Sequence, residues 1–255
     1  MKLRILGCGT SAGVPRIGPD WGACDPQEPR NRRLRCSLLV ESADQRLLVD
    51  CGPDLRQQLL DANVSQIDAL IVTHDHGDHC HGIDELRPVA QRRKAPIPLH
   101  ARADVVHSLQ QRFGYAFASS GFYAAIVEPA RAGEELKLGN ARIRFVDQTH
   151  GGAVSTGLRI KEGGRSAVYA IDFSQMTDDM AALYEGADVM ICDCLQRRPH
   201  PTHAYLEAVL GWAADLRVGQ LYLTHMNNSM DYRTLVAELP DWAAPAHDGL
   251  ELELS

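Results

Sequence analysis

Residues 73–81, T-H-D-H-G-D-H-C-H, concentrate metal-binding side chains at one point of the chain. Three imidazoles and one carboxylate fall within six positions, in the order His74, His76, Asp78 and His79. Structural zinc sites usually take thiolates, whereas imidazoles combined with carboxylates are typical of hydrolytic zinc, iron or manganese. A merely solvated histidine-rich turn is the alternative interpretation. The stretch predicts a catalytic metal site.

A short apolar run leads into this stretch. Residues 67–73 (I-D-A-L-I-V-T) are rich in β-branched and apolar side chains, which is typical of a buried strand. Gly77 and Gly82 are expected to interrupt any helix that follows. The histidines are therefore predicted to lie on a loop at the end of a strand, where rigid scaffolds commonly hold functional groups.

The composition is that of an ordinary globular chain. The 255 residues are 45% hydrophobic and 23% charged, and we expect one α/β domain spanning residues 1–255. Seven cysteines, together with a first strand where an export signal would stand, favour reduced thiols and a cytoplasmic location. No apolar run approaches about 18 residues, which argues against a membrane span. The formal net charge of −7 makes nucleic acid an unfavourable partner.

Strand-like and helical segments alternate along the chain without a long linker. Besides 67–73, strands are predicted at 2–6, 37–41, 46–49, 123–128, 142–146, 157–161, 166–171, 189–192, 220–223 and 250–254. Helices are predicted at 54–62, 104–113, 176–184 and 202–216, with Thr202 as the cap of the last one. Many strands with interspersed helices predict a layered α/β fold.

Three further metal-binding residues stand at predicted strand ends. His150 follows I-R-F-V-D-Q-T, Asp172 ends A-V-Y-A-I-D, and His225 ends L-Y-L-T-H. With the 73–81 cluster they supply five imidazoles and two carboxylates, enough for two metal ions that share a bridging carboxylate and a bridging hydroxide. We therefore expect all seven side chains to converge on one rim of a sheet.

These residues resemble those of a known family. T-H-D-H-G-D-H matches the H-x-H-x-D-H signature of the metallo-β-lactamase superfamily, and the three distal residues follow in that superfamily's order. The resemblance implies an αββα sandwich, in which two mixed β-sheets carry helices on their outer faces. It also implies two metal sites that share Asp172 as a bridge. The ligands would be His74, His76 and His150 for one metal, and Asp78, His79 and His225 for the other.

Further stretches are similar to one branch of the superfamily. They include L-G-C-G-T-S-A-G-V-P (6–15), D-C-G-P-D-L-R-Q-Q-L-L (50–60) and H-P-T-H (200–203). That branch contains the phosphoribosyl cyclic phosphate phosphodiesterase of carbon–phosphorus lyase pathways. The resemblance implies hydrolysis of a small-molecule phosphodiester, such as a cyclic ribose or nucleotide phosphate, by a hydroxide activated by two divalent metals. Zinc, manganese and iron all suit the ligand set, and a homodimer is left open.

The resemblance also assigns catalytic roles. Asp78 and Asp172 would act as metal ligands, and His203 matches the branch's active-site histidine, which protonates the leaving oxygen or stabilises the transition state. Its expected position at a helix start suits an anionic substrate, because the first amides of a helix lack partners. His200, between two prolines, is the alternative proton donor.

Several other residues are candidates for substrate binding or for support. Arg33, Arg35 and Arg87 carry charges suited to phosphate, although exposed arginines are usually just solvated. His247 in A-H-D-G-L is a further candidate for substrate binding, by resemblance to a related turn in the branch. Asp50 is expected either to orient a ligand imidazole or to serve only as a turn residue before Gly52.

One loop departs from the branch pattern. Characterised members carry a C-x-C-x-x-C-like zinc loop here, completed by a histidine three residues beyond the last catalytic histidine. This chain has Pro19, Trp21 and Cys24 in the loop and Asn228 at the completing position. A tetrahedral structural site needs four ligands. We therefore expect at most two metals per chain and free, titratable thiols at Cys24 and Cys36.

Three rival functions follow from the same observations. One is an endoribonuclease of the transfer-RNA 3′-end type, which would need a basic RNA-gripping arm that the sequence does not show. Another is an oxidoreductase similar to the pyrroloquinoline-quinone-pathway protein. The third is a non-enzymatic metal carrier, which the complete ligand set disfavours.

Overall fold

The structure, a computed structural model, describes residues 1–130 and 135–254 and contains two seven-stranded β-sheets. Their strands are β1 (Lys2–Gly7), β2 (Ser37–Ser42), β3 (Gln45–Val49), β4 (Ala69–Ile71), β5 (Ile97–His100), β6 (Val127–Pro129), β7 (Glu135–Leu138), β8 (Ala141–His150), β9 (Ala153–Glu162), β10 (Arg165–Ala170), β11 (Val189–Asp193), β12 (Gln220–Thr224), β13 (Ala243–Pro245) and β14 (Glu251–Glu253). The helices are α1 (Leu55–Asp61), α2 (Gly77–Cys80), α3 (Arg87–Arg93), α4 (Ala103–Arg112), α5 (Gly114–Phe117), α6 (Asp178–Tyr184), α7 (Leu206–Asp215) and α8 (Tyr232–Glu238). Short 3₁₀ turns occupy Pro29–Asn31 and Ile83–Leu86.

Each sheet has an antiparallel half and a parallel half. The first sheet has the order β14-β1-β2-β3-β4-β5-β6, and the second has the order β13-β12-β11-β10-β9-β8-β7. Strands β3 to β6 run parallel, as do β10 to β13, while the other pairings are antiparallel. The carboxyl ends of parallel strands meet at one edge of a sheet, which is where open α/β sheets place their sites.

The inner faces of the sheets form one apolar layer. In the first sheet the buried side chains alternate, so that Leu38 and Val40 face the second sheet while Leu39 faces outward. Leu38 and Val40 pack in the same cluster as Leu158 and Ile160 of β9. The period of two follows from the pleat of a strand, which sends successive side chains to opposite faces.

Helices cover the outward faces. Leu55 and Leu59 of α1 and Leu109 of α4 pack in the outer cluster of the first sheet. Val209 of α7 and Leu235 of α8 belong to the cluster of the second sheet. This arrangement confirms the predicted αββα sandwich with two mixed sheets.

Three predicted elements differ from the observed ones. The strand predicted at 67–73 is limited to β4; at its end the Thr73 amide donates to the Asp50 side chain rather than to a neighbouring strand. The strand predicted at 123–128 begins only at Val127, because Tyr123 closes a tight hairpin with Ser120 through bonds of 2.8 and 3.0 Å. The helix predicted from Thr202 begins at Leu206, because Ala204 and Leu206 bond instead to the chain at 195–196.

The expectation that Gly77 breaks any helix is also corrected. Gly77 begins the single turn α2, which carries Asp78 and His79. Close packing explains the nearby glycines better. A side chain at Gly52 would lie 2.1 Å from the Asp78 carbonyl oxygen, and one at Gly82 would lie 2.1 Å from the Gly52 carbonyl oxygen.

No helix in residues 1–130 and 135–254 is both long enough and apolar enough to cross a bilayer.

Candidate metal centre

The predicted metal-binding residues meet where strands of both sheets end. His150 ends β8, Asp172 lies two residues after β10, and His225 directly follows β12. The 74–79 cluster follows β4 of the other sheet. The seven side chains that the sequence singles out are thus brought together from four strand ends at one edge of the sandwich.

Asp172 lies at the centre of this group. Its Oδ2 is 3.5 Å from Nε2 of His74, of His79 and of His150. Its Oδ1 is 3.4 Å from Nε2 of His225. A carboxylate that lies between four imidazoles in this way is placed to be shared by two metal sites.

The ligand atoms form two main sets that share Asp172, and a third group joins Asp172 and His225 to Asp193 and His203. Within each set the atoms lie within 4.8 Å of one another. The sets are His74, His76, His150 and Asp172, and Asp78, His79, His225 and Asp172. This division is the one that the resemblance implies.

Hydrogen bonds on the far side of the rings orient the imidazoles. Nδ1–H of His79 donates to Asp50 Oδ2 at 2.7 Å, and Nδ1–H of His150 donates to the Thr202 carbonyl at 2.8 Å. The Thr73 hydroxyl donates to Asp50 at 2.9 Å and accepts from Nδ1–H of His74 at 3.1 Å. Each bond places the proton on Nδ1 and leaves the Nε2 lone pair facing the centre, which is the usual way in which outer partners prepare a metal ligand. Asp50 is therefore more than a turn residue.

Buried atoms without partners show that the site fits metal ions. Nε2 of His74, His79 and His225 and Oδ1 of Asp172 are all buried and have no hydrogen-bond partner. A cluster of lone pairs that face one another without donors is costly unless a cation occupies the space between them. Divalent metals supply that cation, and these residues would hold them.

The electrostatics of the side chains lead to the same conclusion. Burial alone would lower the pKa of His225, but the charges of Asp172 and Asp78 raise it to about 9. Burial would raise the pKa of Asp172, but His225 and His79 hold it well below its usual value. The carboxylates thus draw positive charge into the site, either as protons on the imidazoles or as metal ions that displace them.

The backbone at this edge is strained. Asp50, Asp172 and His225 have positive φ angles of 63°, 53° and 56°. Residues other than glycine rarely adopt this left-handed conformation, and when they do they cluster at functional sites. Of these three residues, Asp50 orients a ligand, and Asp172 and His225 belong to the ligand sets.

A residue not singled out from the sequence, Asp193, completes the site. It ends β11, is fully buried, and its Oδ2 accepts a hydrogen bond of 2.9 Å from Nδ1–H of His203. Its Oδ1 is 3.6 Å from Nδ1 of His225. The sequence did contain a signal for Asp193, because V-M-I-C-D is one more strand that ends on a possible ligand, here a carboxylate. That strand lies next to β10 and β12.

His203 lies between this carboxylate and the metal ligands. Its ring centroid is 4.7 Å from that of His150 and 4.8 Å from that of His225. The His203 side chain is 13% exposed. His203 precedes α7 by three residues, so Asp193 rather than the helix start positions it. His200 lies behind it, with Nδ1 3.4 Å from the Thr202 amide.

A cavity of about 520 Å³ opens over the ligands. Its described lining is Ser11, His76, Asp78, His150, Gly151, Gly152, Ala153, Asp172, Thr202, His203 and His225. The cavity brings the ligand atoms and His203 to the same space, so a bound molecule would contact both.

Comparison with known proteins places this site in a family. Residues 45–226 match the description "Beta-lactamase superfamily domain". The chain belongs to the metallo-β-lactamase superfamily. Within this superfamily, a solved structure described as a new diphosphatase from the PhnP family is 34% identical to this chain and has a TM-score of 0.89. The alignment covers 98% of this chain and 96% of that one, in agreement with the branch that the sequence resembles.

Two more distant likenesses extend the comparison within the superfamily. The structure of Zn(2+)-bound PqqB from Methylobacterium extorquens shares the fold, with a TM-score of 0.80 and 19% identity over 100% of both chains. An octanoyltransferase of Porphyromonas gingivalis (strain ATCC BAA-308 / W83) is 27% identical over 98% of this chain. The chain spans about half of that relative, 51% of its length. Taken together, the family match, the 34%-identical structure and the His/Asp ligand sets support a metallo-β-lactamase-fold hydrolase with sites suited to divalent metals.

Asp193→Asn is expected to lower turnover on the order of 10²-fold while metal content stays near that of the wild type. The amide keeps the shape of the carboxylate but removes the charged acceptor that orients the His203 ring, and partners of this kind typically contribute 10–100-fold. Steady-state kinetics with elemental analysis of the same samples would measure both quantities. Asp241→Asn, at an exposed position, is the control. An unchanged rate would mean that Asp193 has only a packing role.

None of the predicted substrate-binding residues belongs to the described lining of the cavity. Arg87 pairs with Asp84 at 3.1 Å and lies over the Tyr123 ring. His247 donates to the carbonyl of Asp248 at 3.0 Å. Neither belongs to the described lining, because both are held on neighbouring surfaces.

The expectation that Arg33 binds phosphate is corrected. The residue is 1% exposed, and its guanidinium donates to the carbonyls of Asn227 at 3.1 Å and Met230 at 2.5 Å. It also donates to Asn31 Oδ1 at 3.3 Å. Because the guanidinium is hydrogen-bonded to these acceptors, it stabilises the segment after His225 and is not accessible to substrate.

Arg33→Ala is therefore expected to lower the free energy of unfolding by about 2–4 kcal/mol, since it leaves buried carbonyls unpaired and opens a cavity. Urea unfolding would measure this change. The adjacent Arg32 is exposed, so Arg32→Ala should change stability by about 0.5 kcal/mol or less. A raised KM with unchanged stability for Arg33→Ala would restore the substrate-binding interpretation.

The loop that departs from the branch pattern is held without a metal ligand set. The Ala23 amide donates to the Asn228 carbonyl at 2.8 Å, and Cys24 Sγ lies 3.9 Å from Nη1 of Arg33. Cys36 instead bonds to the Gly9 carbonyl at 3.3 Å. Among the described residues, no group of three or more possible ligands includes a cysteine. Burial raises the pKa of both thiols, so we expect both to react with thiol reagents more slowly in the folded protein than after unfolding.

Elemental analysis of purified protein is expected to give at most two metals per chain. Cys24→Ser should leave that number unchanged, because Cys24 belongs to no group of possible metal ligands among the described residues. Wild-type protein prepared in parallel is the reference. A third, chelator-resistant zinc that disappears in Cys24→Ser would contradict this prediction.

Proposed function

We propose that the protein is a metal-dependent phosphodiesterase that hydrolyses a small phosphodiester, with a cyclic ribose or nucleotide phosphate as the preferred substrate. The observation that carries the proposal is the placement of His203. Asp193 holds it beside the unpartnered ligand atoms, and it lines the same cavity. A proton donor next to a metal pair suits a reaction whose leaving group is a poor one.

Divalent metals held by the two ligand sets would activate water and neutralise the charge of the phosphate oxygens. Imidazoles and carboxylates without thiolates suit zinc or manganese, and also iron. Asp78 and Asp172 would act as ligands, with Asp172 shared between the sets. The catalytic roles that the metals do not supply are assigned to the side chains that surround the cavity.

His203 is proposed as the general acid. Its Nδ1–H is committed to Asp193, so Nε2 is the atom that carries the transferable proton. The hydrogen bond to Asp193 fixes the orientation of the ring, so that a proton on Nε2 would pass to the departing alkoxide. Cleavage of a ribose–phosphate bond releases an alkoxide, which needs such a proton far more than a nitrophenolate does.

A turnover panel tests the proposed function. Bis-p-nitrophenyl phosphate, a cyclic ribose phosphate and precursor transfer RNA would be compared with metal present, after chelation, and after zinc or manganese is restored. We expect hydrolysis of the cyclic phosphate that chelation abolishes and metal restores. Faster cleavage of the RNA would favour the endoribonuclease, and no metal-dependent hydrolysis of any substrate would contradict the proposal.

A further inference from the structure

We propose that Asp75 is a positioning residue that holds His76 in its ligand set. Asp75 stands between His74 and His76 in the sequence, and two side chains of α4 anchor it from outside the site. This role belongs to the assembly of the metal centre, so it is independent of the substrate proposed above.

His76 has the least side-chain support of the five imidazoles. It is exposed, whereas the other four are buried. Three of the buried rings form a hydrogen bond through Nδ1, but among the described residues no partner is found for the ring of His76. Its ring centroid lies 4.5 Å from that of His74 and 5.0 Å from that of His150. The position of His76 therefore depends on the backbone that carries it.

Asp75 is anchored to α4 at two points. The Ser108 hydroxyl donates to Asp75 Oδ2 at 2.5 Å, and Nη2 of Arg112 donates to the Asp75 carbonyl at 2.5 Å. The same nitrogen lies 3.2 Å from Oδ2. Val105 and Leu109 of α4 are buried in the outer cluster of the first sheet, so both donors lie on a helix that the core holds in place.

The carbonyl anchor acts directly on His76. The Asp75 carbonyl belongs to the planar peptide that joins the two residues, so a bond to its oxygen also fixes the direction of the His76 amide. On the other side, the His76 carbonyl accepts from the His79 amide at 3.0 Å. His76, with a φ of −66° and a ψ of 150°, thus lies between two peptide groups that are both held.

The end of α4 contacts the same loop at a second place. The ring of Phe113, next to Arg112, packs against His81 with a centroid distance of 5.6 Å. A side chain at Gly77 would lie 2.9 Å from the His81 ring, so that ring lies against the backbone that follows the first two ligands. Arg112 and Phe113 therefore hold the loop on both sides of Gly77.

The first test removes both anchors and keeps the charge of Asp75. Zinc is withdrawn from metal-loaded Ser108→Ala/Arg112→Ala with a chromophoric chelator. One binding step should weaken by about 10–100-fold, the usual effect of losing the partners that orient a ligand, while the other changes by less than about threefold. His76→Ala identifies the affected step, because it removes a ligand from that set. Tighter binding, no change, or equal weakening of both steps would overturn the inference.

The second test removes the charge and keeps the anchors. Asp75→Asn retains an oxygen that accepts from Ser108 and a carbonyl that accepts from Arg112. It should therefore bind zinc within about fivefold of the wild type, since only the exposed ion pair is lost. A loss as large as that of the double variant would mean that the charge of Asp75 attracts the metal, and the positioning role would be refuted.

The matched control places the same number of changes on the same helix. His107→Ala/Gln111→Ala alters two exposed residues with the spacing of Ser108 and Arg112, and it should leave both zinc affinities unchanged. Circular dichroism at saturating zinc should show that every variant is folded like the wild type. Equal weakening in the control would mean that any change in α4 loosens the site, which would count against a specific role of Asp75.

A measurement on His76 itself completes the test. In zinc-loaded protein labelled with ¹⁵N-histidine, the double variant should move the ring signals of His76 further than those of His79 and His225. Unmoved His76 signals together with weaker zinc binding would overturn the inference. None of these measurements uses a substrate, so they decide the role of Asp75 even if the cyclic phosphate is not hydrolysed and the proposed function fails.

Discussion

Asp172→Ala is expected to lose both metals and to lower turnover by about 10³-fold or more. Asp172 faces four imidazole nitrogens at 3.4–3.5 Å and belongs to both ligand sets, so its removal opens both sites at once. Loss of a single preorganised electrostatic contact already costs about 10²–10³-fold. Metal content by elemental analysis and kcat/KM for the cyclic phosphate would measure the two effects.

The strained backbone at Asp172 calls for a second variant. Alanine tolerates the φ of 53° poorly, whereas asparagine adopts it and keeps the shape of the side chain. Asp172→Asn should fold like the wild type and still lose metal and turnover. The exposed Asp179 provides the matched control, Asp179→Ala. Near-wild-type turnover of Asp172→Asn at equal metal content would refute the bridging role.

His203→Ala is expected to keep both metals and to lose turnover by about 10²–10⁴-fold, the range of general acid–base catalysis. His203 belongs to neither of the two main ligand sets, and its Nδ1 is bound to Asp193. Its removal should therefore leave metal binding intact. Metal analysis and steady-state kinetics on one preparation would show both outcomes, with His107→Ala on the exposed face of α4 as the control.

The leaving group separates the possible roles of His203. If His203 protonates the departing oxygen, the loss should shrink when p-nitrophenolate, which needs no proton, replaces the sugar alkoxide. An equal loss for every leaving group would show that His203 binds the phosphate instead. Loss of metal together with activity would place it among the ligands, next to Asp172, Asp193 and His225.

The sequence was sufficient to predict which possible ligands meet, because they stand where strand-like runs end. His150, Asp172 and His225 follow apolar, β-rich runs that indicate strands. Parallel pairing brings the ends of β10, β11 and β12 to one edge, and β8, which runs in the same direction as β10, ends there too. The same reasoning applied to V-M-I-C-D would have found Asp193. Asp193 was not predicted because a single carboxylate at the end of a strand is not part of a recognisable motif.

Other parts of the site depend on tertiary contacts that no local pattern encodes. The position of Arg33 is decided by two carbonyls almost 200 residues further along the chain, at separations of 194 and 197. Its charge suggested a surface role, and only the packing of residues 227–230 shows that it is buried. The start of α7 was misplaced for a similar reason. Thr202 is a good capping residue, but its carbonyl is used by His150, which keeps the chain extended through Tyr205.

The pairing of β1 with β14 determines the order in which the first sheet forms during synthesis. Lys2 pairs with Glu253 and Arg4 with Glu251, so β1 cannot complete its pairing until β14, about 250 residues later in the chain, has been synthesised. At 5–20 residues per second, that wait is about 12–50 s. During this time β1 has β2 on one side and an open edge on the other, and open edges recruit other strands. The nascent chain is therefore most exposed to misassembly along β1 until β14 has been synthesised.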